Sequence, residues 1–502
     1  MGLVWYDSYF FTFYYLFSCG YLFVAGGIIL ILVFVSLILF FSLFLLVGFL
    51  AKRKSVDTAE DYFVAGRSFG PVVLFFSLVA TNFSAFTFLG FAGKSYASGF
   101  GQYSIMAFGT GFMAISFYVI GRKVWYLGKT HGYITPAELV GKQMNSRLLY
   151  LVFMGVLVIF TIPYLATQAI GAGFLIMQLT ESVISWQVGA VGTMLVLMVY
   201  TFFGGMRGSG WTDVVQGVLM IVALVFAFVF VAVGMGGVSA ANAASFAQAP
   251  ELFARPGLDG FFTMQIWFSF MILWLLADPL FPQLFSRFYT AKNEKSLKWT
   301  MLFYPIAVLI VFFIPVVIGV WAHGAGIQIG ASEADMVLPM MVRMFAPGGI
   351  YLFVMIGALA ALMSTADSQL LSLATMFSHD LPFKKRSNDV KRGKFFIFLL
   401  VISAILFILL GYDPSTGIMG TLVKSTFSGL AVLFPTVIAV LYWKKTTALA
   451  CLCSIIVGEL SIGLFELQVL DAFGFLPAIW SVSIATIILF SISLISTFLK
   501  KS

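Results

Sequence analysis

The chain has 502 residues, 61% hydrophobic and 10% charged, with a formal net charge of +8 and a mean hydropathy of +1.05. Soluble domains carry roughly 25% charged residues, so composition excludes a water-soluble globular fold, and recurrent apolar runs of about 20 residues predict helical spans rather than the short alternating strands of a barrel. The positive charge is no sign of a nucleic-acid partner, because the basic residues lie between apolar runs and fall mostly on alternate sides.

Residues 1–51 form one apolar run whose only charge is Asp7. A helix is expected over 28–51, anchored by Lys52, Arg53 and Lys54. Residues 5–26 read as an extra helix or an interfacial segment; a cleaved leader is not expected, since no basic stretch precedes the run. Further spans are expected at 69–98, 101–121, 148–180, 186–204, 212–236, 262–285, 299–323, 348–376, 395–412, 419–442, 447–468 and 474–498. The chain thus reads as an all-α polytopic membrane protein of about 13 helices. With that count, 24 of the 28 basic residues fall on one side, among them Arg287, leaving Lys94, Arg255, Arg343 and Lys424 on the other. The asymmetry predicts an outside N-terminus and a cytoplasmic C-terminus.

Two spans are interrupted. In LVATNFSAFTFLGFAG (Leu78–Gly93), Thr81, Asn82 and Ser84 stand at mid-membrane; in LLADPLFPQLFSR (Leu275–Arg287), Asp278, Pro279 and Pro282 break the run. Proline removes a donor and clashes with the preceding turn, and interrupted spans at corresponding positions point to a transporter's binding site. The breaks fall in the second and seventh spans. That spacing predicts two five-helix units, at 69–236 and 262–442, the second inverted relative to the first, preceded by the segment 1–51 and followed by two helices over 447–502.

A third apolar stretch, Ala358–Leu381, carries Ser364, Thr365, Asp367 and Ser368 at its centre. Ser364 and Ser368 are four apart and share a helix face, with the Ala361 carbonyl one turn earlier. Polar groups at this depth are costly unless they hold something, and small hard cations prefer oxygen ligands. If the second span unwinds around 82–85, the carbonyls of Ala80 and Phe83 lose their helical partners. Bare carbonyls in an apolar interior are expensive, and a cation held between them and the hydroxyls of Ser364 and Thr365 would satisfy both sides.

No disulfide or zinc spacing arises from Cys19, Cys451 and Cys453, and His131, His323 and His379 are isolated in sequence. Nucleophile-elbow, Walker and metallohydrolase motifs are absent from the sequence, so an enzyme is not expected.

From about Asp61 to Lys445 the chain resembles the sodium/solute symporter family, whose inverted-repeat fold is of the leucine-transporter type. The resemblance rests on AGRS (Ala65–Ser68), ATNFSAFTFLGFAGKSYASG (Ala80–Gly99), GGMRGSGWTDVVQG (Gly204–Gly217), RFYTAKNEKSLK (Arg287–Lys298), ALMSTADSQL (Ala361–Leu370) and FPTVIAVLYWKK (Phe434–Lys445). It implies a sodium site at the carbonyls of Ala80, Phe83 and Ala361 and the hydroxyls of Ser364 and Thr365. It also implies an inner ion path, or second cation site, at Asp213, Asp367 and Ser368, although an acidic Asp367 stands where members with two sodium ions carry a hydroxyl. A helix N-cap at the membrane surface is an equal reading of Asp213.

The resemblance places the solute among Asn82, Ser84, Tyr164, Gln168, Asp278 and Lys424. Asp278 is suited to a substrate amine or to balancing a cation, and Lys424 to a carboxylate; the two can equally pair with each other. The expected activity is sodium-coupled import of a small amino acid or organic acid, such as a proline-, pantothenate- or monocarboxylate-like solute. Sugar transport and a sensor without net transport are the alternatives. The chain is expected to work as a monomer in the lipid bilayer of a bacterial inner membrane.

Overall fold

The computed structural model describes residues 7–54, 58–381, 389–410 and 426–499. Among these residues the fold is helical, with a single isolated β-bridge between Phe69 and Ala291. Among the described residues nine helices are long and apolar enough to cross a membrane, and two bent pairs raise the number to eleven if each pair is one span.

The chain opens with α1 (Asp7–Lys54). Its 48 residues form one helix, where a helix over 28–51 was expected with 5–26 as an extra helix or an interfacial segment, and its apolar, membrane-length part runs from Leu30 to Arg53. A short α2 (Ala59–Val64) leads to α3 (Pro71–Asn82), and a π-turn at Phe86–Gly90 leads to α4 (Phe91–Ser98). The α3 axis and the Phe86–Ser98 segment meet at 58°. Next come α5 (Gly101–His131), the short α6 (Pro136–Gln143), α7 (Arg147–Leu179) and α8 (Trp186–Gly234).

Capping explains several of these starts. Thr58, Thr135, Ser146 and Ser185 each sit in extended backbone and accept the amide three residues on, satisfying a donor that a helix N-terminus leaves open.

Two spans were expected within 186–236, and α8 is two helices joined across a kink, 49 residues in all. A straight helix of that length would be roughly 74 Å long, over twice the hydrocarbon thickness. Gly205 resolves the conflict: its φ of 53° and ψ of −157° are non-helical and kink the run. A Cβ there would also lie 2.8 Å from the Tyr62 ring and carbonyl. Gly205→Ala is therefore expected to destabilise the protein by about 1–3 kcal/mol, measured as a lower melting temperature of the detergent-purified chain.

The second half begins after α9 (Val238–Gln248). The loop that follows folds back on the end of α4: Asp259 pairs with Lys94 at 2.9 Å and accepts from Ser98 at 2.8 Å. Burial pushes the Asp259 carboxyl up, but these hydrogen bonds outweigh it and hold it below its ordinary range. Then come α10 (Met264–Ala277), a 3-10 turn at Asp278–Leu280, and α11 (Pro282–Thr290). The second bent pair, Met264–Leu280 with Pro282–Thr290, turns by 54°. It is followed by α12 (Glu294–Gly324), α13 (Val337–Phe345), α14 (Gly348–Asp380) and α15 (Asp389–Leu410). Of the span expected at 419–442, only the part from 426 on is described, as the apolar helical segment Ser428–Tyr442. Helices Ala448–Glu466 and Pro477–Leu499 complete the chain.

The centre of the protein is α14, which packs on α7 and α8. Small residues let these backbones approach: a Cβ on Gly357 of α14 would stand 2.2 Å from the Ala223 side chain of α8, and one on Gly173 of α7 would stand 2.1 Å from the Trp186 carbonyl. In membranes such close contact supplies packing that a hydrophobic effect between helices cannot.

Candidate functional site

The site begins where α3 stops. Phe83 is extended (φ −86°, ψ 113°), so the amides that would have bonded back to the preceding turn go elsewhere. Ser84 N donates to Thr87 Oγ1, Ala85 N to Gln168 Oε1, and Phe86 N to Ser84 Oγ; Thr87 N turns to the Ser84 carbonyl. The carbonyls of Ala80, Thr81, Asn82 and Phe83 are thereby released from the helix ladder.

Helix α14 meets them. Ser364 Oγ lies 2.7 Å from the Ala80 carbonyl and 2.8 Å from that of Ala361. Thr365 Oγ1 lies 3.0 Å from the Thr81 carbonyl and 3.4 Å from those of Phe83 and Ala361. Six oxygens thus gather here: the two hydroxyls, three carbonyls released from α3 and the Ala361 carbonyl of α14. Such a proton-poor nest of hard oxygens, fully buried, suits a small cation without a carboxylate ligand. Thr81 belongs to this set although the sequence reading did not include it; the freed stretch of backbone is longer than the two carbonyls that reading used.

One turn further along α14 lies a charged cluster. Asp213 and Arg287 pair at 2.8 Å with neither side chain exposed. The Arg287 guanidinium also donates to Ser368 (2.5 Å), Ser209 (2.8 Å) and Thr81 Oγ1 (3.3 Å), and touches the Met206 sulfur. Asp213 accepts from Ser77 at 2.6 Å. Asp367 accepts from Tyr200 at 2.9 Å, Ser368 at 3.0 Å and Ser209 at 3.2 Å.

Two expectations change here. Arg287 was counted with the basic residues of a surface connection, yet it is buried on α11 and held by a carboxylate that keeps its charge tolerable inside the membrane. Asp213 is no surface N-cap; it lies inside α8, beyond the Gly205 kink, and is fully buried.

The residues expected around the solute separate into two groups. Asn82, Tyr164 and Asp278 line one cavity with Phe86, Trp274, Phe281 and Phe427. Its volume is about 10 Å³, room for roughly one water. Asn82 donates to the Tyr304 hydroxyl at 2.5 Å. Ser84 and Gln168 serve the break itself, accepting the amides of Phe86 and Ala85. Lys424 lies outside the described residues.

The chain's likeness to known proteins agrees with this architecture. A family model, that of the sodium:solute symporter family, matches residues 62–458. The sodium/pantothenate symporter of Escherichia coli (strain K12) is 26% identical over 452 residues, 86% of this chain and 89% of that protein. The osmoregulated proline transporter OpuE of Bacillus subtilis (strain 168) is 28% identical over 433 residues, 83% of this chain and 85% of that one. A solved sodium-coupled sialic acid symporter, in a substrate-bound outward-open state, superposes with a TM-score of 0.75 at 20% identity. That superposition covers 92% of this chain and 98% of the other, a likeness of fold.

Proposed function

Because the chain belongs to the sodium:solute symporter family, we propose that it carries a small organic solute across the membrane together with sodium, the ion bound where broken α3 meets α14. The protein is an integral membrane transporter and not an enzyme. The observation that carries the proposed site is the nest of six oxygens drawn from Ala80, Thr81, Phe83, Ala361, Ser364 and Thr365.

In the nest the two hydroxyls hold the helices together by donating to carbonyls. Sodium would take over that role, the hydroxyls turning their lone pairs toward it. Because the ligands come from two elements, the ion favours arrangements in which α3 and α14 stay together, and a ligand biases a conformational equilibrium only through such differential affinity. The solute would occupy the neighbouring cavity at Asn82, Tyr164 and Asp278, once its aromatic walls part.

We assign one sodium. At Asp213, Asp367 and Ser368 the Arg287 guanidinium already supplies positive charge, which favours an internal charge network over a second sodium site. The two bent pairs support inverted repeats at 69–236 and 262–442 within a 13-helix, leucine-transporter-type fold. The basic residues between spans favour a cytoplasmic C-terminus in a bacterial inner membrane, with the monomer as the working unit. The solute is a small amino acid or organic acid, as the names of the proline and pantothenate relatives suggest.

The test is uptake of labelled L-proline and pantothenate into proteoliposomes under an inward sodium gradient. Accumulation of either that collapses when potassium replaces sodium is expected. Accumulation indifferent to sodium would remove the coupling reading.

A further inference from the structure

The cavity beside the ion nest carries more information than its size suggests. Asp278 is 2% exposed, and its Oδ1 has no hydrogen-bond partner among the described residues. Asn82 lines the same cavity, and no described cation pairs with Asp278. A lone carboxylate in a low-dielectric interior is among the most expensive groups a protein can bury.

The cavity walls are aromatic. The Phe427 ring sits 4.9 Å from that of Trp274, 5.3 Å from Phe281, 5.5 Å from Phe86 and 5.6 Å from Tyr164. Ring faces attract cations, more strongly once water is excluded, and they offer nothing to an anion. Phe427 packs among the other rings and fills the space a solute needs. Moving it aside would leave an aromatic box with one carboxylate in its wall.

From this pairing we infer that the transported solute bears a positively charged nitrogen, a secondary amine or a quaternary ammonium, seated between Asp278 and the rings of Trp274 and Phe281. The inference rests on the symport reading and narrows its solute class to zwitterions and cations. Asp278 neutralises the nitrogen and selects against solutes carrying only negative charge. An anionic organic acid would bring a second negative charge beside that of Asp278, and like charges at close range in this environment repel strongly.

The experiment is a thermal-shift series on the detergent-purified full chain in sodium buffer, with four probes: L-proline, trimethylglycine, choline and pantothenate. Stabilisation is expected with at least one of the three nitrogen cations or zwitterions and not with pantothenate. Asp278→Asn should weaken the stabilising probe by roughly tenfold or more, the equivalent of about 1.4 kcal/mol. Stabilisation by pantothenate, no stabilisation by any amine or ammonium probe, or an Asp278→Asn protein that binds its probe like the parent would each overturn the inference. Rescue of Asp278→Asn by Lys424→Ala would also overturn it, because the carboxylate would then be the resident partner of Lys424. Should Asp278→Asn fail to fold, the probe series on the parent protein decides alone. The shift caused by sodium without any probe reports the coupling reading separately.

Discussion

Replacing Ser364 and Thr365 together by alanine is expected to raise the sodium concentration needed for half-maximal uptake about 100-fold, with the protein still folded. Each hydroxyl faces carbonyls freed by the α3 break, Ser364 toward Ala80 and Thr365 toward Thr81 and Phe83. Hydrogen bonds to charged groups are worth about 1.5–3 kcal/mol. If each oxygen–sodium contact lies near the lower value, two of them together supply about 3 kcal/mol, close to 100-fold in affinity, and each single variant should show about tenfold. The measurement is sodium-dependent uptake in proteoliposomes, paired with sodium-induced thermal shifts of the same variants. Folding should survive because alanine suits a helix interior. Sodium dependence like that of the parent in the double variant would take Ser364 and Thr365 out of the site.

How much of this site could be read from the sequence depends on where each group gets its partners. Ser364 and Thr365 stand out because polar residues in the centre of an apolar run are conspicuous, and helical periodicity tells which carbonyl shares their face. The α3 break is legible for the same reason. Ser84 and Gln168 look equally conspicuous, but whether a polar side chain faces a ligand or its own backbone depends on the path of the unwound strand, and here both accept amides of the break.

Arg287 was missed because a basic residue at the end of an apolar run normally anchors the membrane surface. Its partner Asp213 is 74 residues away, and only folding shows that the two meet. The pair of spans expected over 186–236 is found as two helices meeting at Gly205, and only the extent of the link between them differs. The glycines and polar residues of GGMRGSGWTD look like a loop, whereas one residue, Gly205, makes the turn and the rest continue as buried helix.

Arg287→Met is expected to abolish accumulation of folded protein. The guanidinium has no exposed surface and bonds to groups on α3, α8 and α14. Removing it leaves Asp213, one of whose oxygens has no partner among the described residues, as an uncompensated charge beside Asp367. Breaking a buried pair from one side costs about 3–5 kcal/mol, a large share of a typical stability. Size-exclusion profiles and melting temperatures of detergent extracts provide the readout. Adding Asp213→Leu to Arg287→Met should recover part of the folded yield, because replacing both members of a buried pair by apolar groups is far less harmful than removing one. A single Arg287→Met protein that melts like the parent would refute this account. Arg287→Lys separates charge from geometry: the contacts to Thr81, Ser209, Asp213 and Ser368 all run to one nitrogen, Nη2, and the shorter lysine carries its charge as a strongly hydrated ammonium that must reach the same point. That variant should fold but need more sodium, since Thr81 contributes its hydroxyl to the arginine and its carbonyl to the ion nest.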